Sequence, residues 1–257
     1  MKVILLAAGR GRRFGRRTAV TPKCLIPIGP HGENLLSRYL SSFRSLRLRD
    51  IVIVIGHEKE KIIRKCATLQ RRVPACRTGR RRGRKKNPGL SIRFVTNPDY
   101  KKGSIVSLCS AESEMTDDCL VMDADVYFEA RALKKLLRAR RTSFLLDPRS
   151  KSTGEEMMVM AKDGRLMRVS KKADPKLKVV GEAVGFFKIK KDDARQLAQI
   201  LRKMVHSGKT GVEYEESYNE LMKKVKVGFE KITGFWTEMD FDKDLKKIKR
   251  HRANPSS

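Results

Sequence analysis

Apolar residues follow two alternating patterns in the first half of the chain. Short unbroken runs, at residues 3–6 and in the β-branched stretch 51–55, are typical of strands buried on both faces. Between them, apolar residues recur every three or four positions, which predicts helices over residues 33–46 and 58–70. Strands that alternate with helices favour βαβ units, so we expect an α/β fold, a Rossmann-like, mostly parallel sheet flanked by helices. The same patterns predict strands at residues 91–96, 119–122 and 143–146 and a helix around residues 133–137.

The pattern changes in the second half of the chain. Residues 156–170 predict a β-hairpin with Asp163 and Gly164 as its turn, and residues 181–189 predict a further strand. These segments favour a small antiparallel portion within one domain that covers residues 1–257. The remaining elements predicted are a helix over 194–205, a helix that begins near Val212, an extended segment at 235–241 and a basic C-terminal helix.

Composition narrows the class of protein. No apolar run approaches the length of a membrane span, which predicts a soluble protein without one. Five cysteines occur without a CxxC pair, which favours reduced thiols and a cytoplasmic location over disulfides or a zinc site. The net charge of +30 predicts attraction to anions but does not decide between nucleotides, nucleic acid and an acidic membrane surface. A general preference for Arg and Lys on solvated faces explains the charge equally well.

The most basic segment, residues 69–88, holds no acidic residue and also contains Gly79, Gly83 and Pro88. This composition predicts a surface loop. Nucleic-acid binding is an alternative role, which the absence of aromatic residues weakens because bases stack on such side chains.

The loop after the first predicted strand carries the clearest chemistry. It places Gly9, Gly11 and Gly15 among arginines, and Lys23 follows. Glycine lets backbone N–H groups approach an anion, and the surrounding cations favour a polyphosphate. A GxGxxG dinucleotide fingerprint does not fit because the third glycine comes one position late. The Walker A pattern GxxxxGK[ST] does not occur in the sequence.

The stretch LAAGRGRRFG, followed by PKCLIPI, resembles the LAAGxGxR and PKxLxPI signature of nucleotidyltransferases that make nucleoside-diphosphate sugars and alcohols. The resemblance implies that this loop wraps a triphosphate, with Arg13 and Lys23 as catalytic residues that neutralise charge. It divides the domain into a nucleotide-binding half (1–147), an acceptor-binding half (148–241) and a C-terminal helix and tail (242–257). The residues implied to bind the nucleotide are Leu6, Ala7, Ala8, Gly9, Arg10, Gly11, Asn97, Ser104 and Asp125.

The same family holds Mg²⁺ with an acid after its fourth strand and another late in the chain. LVMDADVYF and WTEMDF match these segments and imply Asp125 and Asp240 as the metal ligands. Mg²⁺ prefers hard oxygen ligands and takes one or two carboxylates together with substrate phosphates. Asp123 is expected to cap the turn or to support the ligands. Ser104 and Asp242 are expected to cap helices.

Segments of the second half, such as VGEAVGFFKI and EYEES, resemble cytidylyltransferases that act on phosphocholine and 2-aminoethylphosphonate. Acids gather there although bases outnumber acids 59 to 29 in the chain. Carboxylates suit an acceptor with an ammonium group, and aromatic rings bind such a cation by a cation–π contact. The alternative is a tryptophan in the core and acids on a solvated helix. The predicted acceptor-binding residues are Glu155, Glu182, Tyr214, Glu215 and Trp236.

The leading hypothesis is therefore a Mg²⁺-dependent cytidylyltransferase that joins CTP to a small phospho- or phosphono-amino alcohol and releases pyrophosphate. An acceptor oxygen attacks the α-phosphorus, and no general base is required. Among the four histidines, His57 is expected to be a packing or surface residue. One alternative uses a sugar phosphate, inositol phosphate or another nucleotide. A second is a basic nucleic-acid-binding protein on a degenerate transferase fold.

Overall fold

The computed structural model describes residues 1–71 and 89–254. Residues 72–88, which hold most of the basic segment, lie outside this part, so the surface loop remains a prediction. The strands are β1 (Lys2–Ala7), β2 (Asp50–Ile55), β3 (Ser91–Thr96), β4 (Cys119–Asp123), β5 (Val126–Phe128), β6 (Ser143–Asp147), β7 (Met158–Lys162), β8 (Arg165–Ser170), β9 (Lys178–Ile189), β10 (Gly228–Lys231) and β11 (Trp236–Glu238). The α-helices are α1 (Arg17–Val20), α2 (Leu35–Ser45), α3 (Lys59–Arg71), α4 (Ser104–Ser110), α5 (Ala130–Arg138), α6 (Lys191–His206), α7 (Glu215–Lys224) and α8 (Asp242–Ala253).

A mixed sheet forms the centre of the fold, in the strand order β10-β6-β9-β4-β1-β2-β3, with β7 and β8 beside β9. Strand β1 pairs in parallel with β2 and β4, and β2 pairs in parallel with β3. Strand β9 runs antiparallel to β4, β6 and β7, so it joins the parallel part to the hairpin. A separate two-stranded sheet pairs β5 with β11. The predicted fold class is confirmed.

Both faces of the central sheet are buried, which explains the unbroken apolar runs of its strands. Val3 and Leu5 belong to a core shared with Tyr39 of α2. Ile4, between them, points to the opposite face and shares a core with Leu197 of α6. The carboxyl ends of β1 and β4 therefore meet at one edge of a sheet that is fixed from both sides.

Two element boundaries differ from the sequence predictions. Strand β9 begins at Lys178, before the predicted start at 181, because it extends along the hairpin. Helix α7 begins at Glu215 instead of near Val212. The preceding segment pairs with the start of α4, where the Ile105 N–H donates to the Val212 carbonyl oxygen at 3.3 Å. The predicted hairpin turn is confirmed, with the positive φ values of 50° and 73° at Asp163 and Gly164 that such a turn needs.

The predicted helix caps are wrong in both cases. The Asp244 carboxylate accepts from the Phe241 N–H at 2.8 Å and so caps α8, while Asp242 forms an exposed ion pair with Arg17. Helix α4 has Gly103 as its N-cap, and Ser104 is its first residue.

Two general expectations can be compared with the described part of the chain. The cysteines that it includes are free thiols at positions 24, 66, 109 and 119. Within it, no helix combines the length and the apolar character that crossing a membrane requires.

Candidate active site

The conformation of the loop after β1 requires glycine at position 11, and hydrogen bonds from Thr18 and His57 hold the loop in place. Gly11 has a φ of 60°, and a Cβ there would lie 3.2 Å from the Thr18 Cγ2 atom. The Thr18 hydroxyl donates to the Gly11 carbonyl at 2.8 Å. The buried His57 donates its backbone N–H to the Ala8 carbonyl at 3.0 Å, and its Nε2 lies 2.8 Å from the Thr18 carbonyl oxygen. His57 is therefore a packing residue, as predicted, and it holds the loop.

Three carboxylates meet beside this loop. Asp125 lies between β4 and β5, Glu238 ends β11, and Asp240 follows it. The antiparallel pairing of β5 with β11 sets Val126 opposite Glu238, and the Met239 N–H donates to the Asp125 carbonyl at 2.9 Å. One carboxylate oxygen from each acid lies within 4.8 Å of the other two. The short sheet thus unites segments that are far apart in the sequence.

Two cations reach this carboxylate cluster from the loop side. Lys23 Nζ lies 2.7 Å from Asp125 Oδ2 and 2.5 Å from Asp240 Oδ1. Arg13 lies 3.0 Å from Asp240 and 2.9 Å from Glu155. Burial lowers the pKa of Lys23, but the two aspartates outweigh it and raise that pKa above its ordinary value. Lys23 therefore stays charged at neutral pH.

Glu238 completes a set of ligands that fits a divalent cation. Desolvation by the surrounding protein and repulsion from Asp125 and Asp240 raise the pKa of Glu238 to about 9, although part of the residue remains exposed. A bound cation would relieve this repulsion. Converging carboxylate oxygens are the hard ligands that Mg²⁺ prefers, so these residues fit the metal that the fold family implies.

These groups line one end of an open cavity of about 440 Å³. Acids outnumber bases along it, although the chain as a whole is strongly basic. The acids are Asp123, Asp125, Glu155, Glu182, Glu213, Glu215, Glu238 and Asp240, and the bases are Arg12, Arg13, Lys23, Lys102 and Lys171. Of the predicted nucleotide-binding residues, those that line it are Leu6, Ala8, Gly9, Gly11, Ser104 and Asp125, and Ala7 lines a smaller depression beside it.

All the residues predicted to bind the acceptor line the same cavity; they are Glu155, Glu182, Tyr214, Glu215 and Trp236. Glu215 is buried at the start of α7, which differs from the solvated helix face considered as an alternative. Burial raises its pKa to about 8, and repulsion from Glu213 and Glu238 adds to this effect. Asp123 and Tyr218 also lie close enough to interact with the Glu215 carboxylate.

Asp123 supports the part of the cavity that Tyr214 lines. The Tyr214 hydroxyl donates to Asp123 Oδ2 at 2.5 Å. Gly185 of β9 has a φ of 74°, and a Cβ there would lie only 2.5 Å from that oxygen. Glycine at this position lets the carboxylate lie against the strand and orient Tyr214.

Two of the residues predicted to bind the nucleotide, Asn97 and Arg10, line neither the cavity nor the smaller depression. Asn97 is buried, donates from Nδ2 to Ser107 Oγ at 3.0 Å and accepts from the Asp99 N–H at 2.9 Å. It supports Ser107, which does line the cavity, and does not face the cavity itself. The side chain of Arg10 also lies outside the lining. Position in the family signature gave no information on which way either side chain points.

Ser104 lines the cavity but is occupied by protein partners. Its hydroxyl donates to Glu213 Oε2 at 2.6 Å and accepts from the Tyr214 N–H at 2.9 Å. It therefore ties α4 to the segment before α7.

Sequence reasoning missed Glu238 and Lys171. A signal existed for Glu238, because residues two apart on a strand share a face and Glu238 precedes Asp240 by two positions. No pattern distinguished Lys171 from the many other lysines. Within residues 1–71 and 89–254, Lys171 has no ion-pair partner although it lines an acidic cavity.

The fold and this site define an α/β domain of the nucleotidyltransferase class. More particularly, the chain belongs to the family of MobA-like NTP transferase domains, whose model matches residues 3–202.

Two curated relatives are similar in sequence. CMP-5'-(3-aminopropyl)phosphonate synthase of Streptomyces rubellomurinus is 26% identical over 144 residues, which cover 56% of this chain and 20% of that protein. Choline-phosphate cytidylyltransferase of Haemophilus influenzae is 26% identical over 171 residues, which cover 66% of this chain and 62% of that protein. The chain thus matches less than two thirds of either relative.

Solved structures share the fold. CTP:phosphocholine cytidylyltransferase from Streptococcus pneumoniae superposes with a TM-score of 0.71 at 21% identity, covering 97% of both chains. The inositol-1-phosphate CTP transferase from T. maritima gives a TM-score of 0.72 at 17% identity, covering 96% of both chains. At these identities the comparison establishes the fold and does not distinguish the substrates.

Proposed function

We propose that this protein is a Mg²⁺-dependent cytidylyltransferase that condenses CTP with a small phospho- or phosphono-amino alcohol and releases pyrophosphate. The observation that carries the proposal is the lining of one cavity, in which Arg13 and Lys23 contact the carboxylate cluster. Glu182, Glu215 and Trp236 line the same cavity outside that cluster. The names of the two curated relatives, a choline-phosphate cytidylyltransferase and an aminopropylphosphonate synthase, support the choice of base and acceptor. The free thiols favour a cytoplasmic location.

The nucleotide end is assigned to the triphosphate. The glycines of the loop leave room for phosphate oxygens, and Arg12, Arg13 and Lys23 offset their charge. Asp125, Glu238 and Asp240 would hold Mg²⁺, which when bound withdraws charge from the phosphate oxygens.

The transfer is one displacement at phosphorus. An ionised oxygen of the acceptor phosphate or phosphonate forms a bond to the α-phosphorus, while the bond from that phosphorus to the bridging oxygen breaks. The electron pair leaves with pyrophosphate, and no proton has to move. The chain therefore acts through positioning and charge, with Lys23 and Arg13 as the charged groups beside the reacting phosphates.

The acceptor end suits a molecule with charges of both signs. We assign Lys171, which has no ion-pair partner in the described part of the chain, to the acceptor's phosphate or phosphonate. We assign Glu182 and Glu215 to its ammonium group, Glu215 in the ionised form that it takes above pH 8, and Trp236 offers an aromatic face. A sugar or inositol phosphate is less well served because, within the described residues, the lining contains no Asn or Gln side chain for ring hydroxyls.

A pyrophosphate-release screen tests the proposal. Four NTPs are each combined with phosphocholine, phosphoethanolamine, 2-aminoethylphosphonate, inositol phosphate and hexose 1-phosphates in the presence of Mg²⁺. We expect the highest kcat/KM for CTP with an amino-alcohol acceptor. Preference for a ring acceptor would contradict the acceptor assignment, and no release with any pair would contradict the reaction.

A further inference from the structure

Trp236 is the only tryptophan of the chain, and its ring is held from outside the cavity. The indole Nε1–H donates to Asp147 Oδ2 at 2.7 Å. Asp147 is the last residue of β6 and is not part of the cavity lining. A residue behind the site thus contacts the one indole within it.

The Asp147 carboxylate is itself fully engaged. The backbone N–H and Nε of Arg149 donate to its Oδ1, and Nη2 of Arg149 donates to its Oδ2, each at 2.9 Å. Burial raises the pKa of Asp147, but the hydrogen bonds from Arg149 and Trp236 outweigh it and lower that pKa below its ordinary value. The carboxylate is therefore charged at neutral pH.

The central sheet fixes where Asp147 lies. In the pairing of β6 with β9, Asp147 is directly opposite Glu182, which lines the acceptor end. The backbones approach so closely that a Cβ on Gly181 would lie 2.7 Å from the Asp147 carbonyl oxygen. The indole is thus hydrogen bonded to the side chain of Asp147, a residue whose backbone is fixed by the sheet.

We propose that Asp147 is a positioning residue for the acceptor, which orients the Trp236 ring and increases the electron density of its face. The inference rests on the proposed function, because it assigns that face to the acceptor's cationic group. A carboxylate that accepts from an indole N–H pushes negative charge into the ring. The attraction between a cation and a tryptophan face depends on that charge distribution. In this proposal Asp147 acts through Trp236, since it does not itself line the cavity.

A double-mutant cycle separates this role from a general structural one. We expect Asp147→Asn to raise the KM for the cationic acceptor about tenfold, with the KM for CTP changed by less than about twofold. In a Trp236→Phe background, which keeps an aromatic face but lacks the N–H, the same substitution should change the acceptor KM by less than about twofold. Equal effects in both backgrounds would overturn the proposal. Arg149→Ala is the matched control, because it removes the side-chain hydrogen bonds of Arg149 to Asp147 and leaves the indole bond.

A second measurement needs no turnover. The unmodified protein should give one indole ¹⁵N–¹H cross-peak, displaced downfield by the carboxylate, and Asp147→Asn should move it upfield. A wild-type peak at the position of a solvated indole would overturn the proposal even if the variant does not fold. Pyrophosphate release with ring acceptors alone would instead contradict the proposed function. In that case the cross-peak still decides whether Asp147 positions Trp236.

Discussion

Lys23 donates from Nζ to Asp240 Oδ1 at 2.5 Å, across 217 positions of the sequence. The same ammonium reaches Asp125 and so places a positive charge among three crowded carboxylates. Under the proposed function, Lys23 therefore acts on two properties that can be measured separately, the charge around a bound triphosphate and the stability of the carboxylate cluster.

Replacing Lys23 should affect both. We expect Lys23→Met to lower kcat for pyrophosphate release by about 100-fold or more, because a charge beside the reacting phosphates is lost. The free carboxylate cluster then repels itself, so added Mg²⁺ should raise the melting temperature of this variant more than that of the wild type. Lys246→Met, on the exposed face of α8, is the control. A Mg²⁺-induced shift no larger than that of the wild type would contradict the compensating role.

The carboxylate cluster can also be tested directly. Asp240→Asn and Asp125→Asn should each abolish the Mg²⁺-induced rise in melting temperature and Mg²⁺-dependent pyrophosphate release, because a neutral amide is a poor ligand for a hard cation. Asp242→Asn is a matched control two positions away, since its carboxylate only pairs with exposed Arg17. Unchanged release by either cluster variant would show that the metal assignment is wrong.

Glu215 gives a pH dependence with a defined sign. Its raised pKa of about 8 means that the side chain is neutral below this pH and charged above it. The KM for phosphocholine, whose ammonium has no proton to lose, should therefore fall as the pH rises through 8, and Glu215→Gln should remove this fall. Because the fold favours the neutral acid, the wild type loses stability as the pH rises from the ordinary pKa of about 4.3 to about 8, and above that range the variant should be more stable by on the order of 5 kcal/mol. The KM for CTP over the same range is the control.

A bidentate ion pair between Glu33 and Arg252 joins the start of α2 to the end of α8. The Arg252 guanidinium packs against Gly29. Burial raises the pKa of Glu33, but Arg252 and Arg38 outweigh it and lower that pKa. The stabilisation is thus complete above the ordinary pKa of about 4.3 and is lost as the pH falls through the lowered value. Glu33→Gln should cost about 1 kcal/mol at pH 7, or roughly 2–4 °C in melting temperature. The difference from the wild type should close as the pH falls below the lowered pKa of Glu33.

The basic segment tests the alternative of nucleic-acid binding. Replacing its arginines and lysines between positions 72 and 86 by serine should leave pyrophosphate release nearly unchanged if the segment is solvated surface. RNA and DNA binding should then be weak and equal in both proteins over a series of salt concentrations. Loss of a strong, salt-dependent affinity in the variant would favour the alternative.

The pattern of apolar residues predicted the strands of the sheet well because each face of the sheet packs against its own apolar core. Ile4 must be apolar for one core and Leu5 for the other, so burial on both sides leaves a continuous signal in the sequence. The start of α7 was misplaced because it depends on pairing between Val212 and Ile105, a contact between distant segments.

The family signature indicated which residues come together, whereas it carried no information on side-chain orientation. It pointed to Asp125 and Lys23, which lie 2.7 Å apart beside the carboxylate cluster. Whether Asn97 faces a cavity or a neighbouring hydroxyl depends on rotamer and packing, which leave no sequence pattern. Asp147 was invisible for the same reason, since its partner Trp236 lies 89 positions away.

Strand β11 is only three residues long, yet it carries Trp236 and Glu238 on one face and leads directly to Asp240. Under the proposed function, selection for a new acceptor cannot alter this strand freely, because any shift of its register also displaces the carboxylate cluster. Neither the hairpin of β7 and β8 nor the start of α7 contributes a residue to the carboxylate cluster. Diversification of acceptors among proteins with this architecture should therefore concentrate in those two elements, while β11 changes slowly.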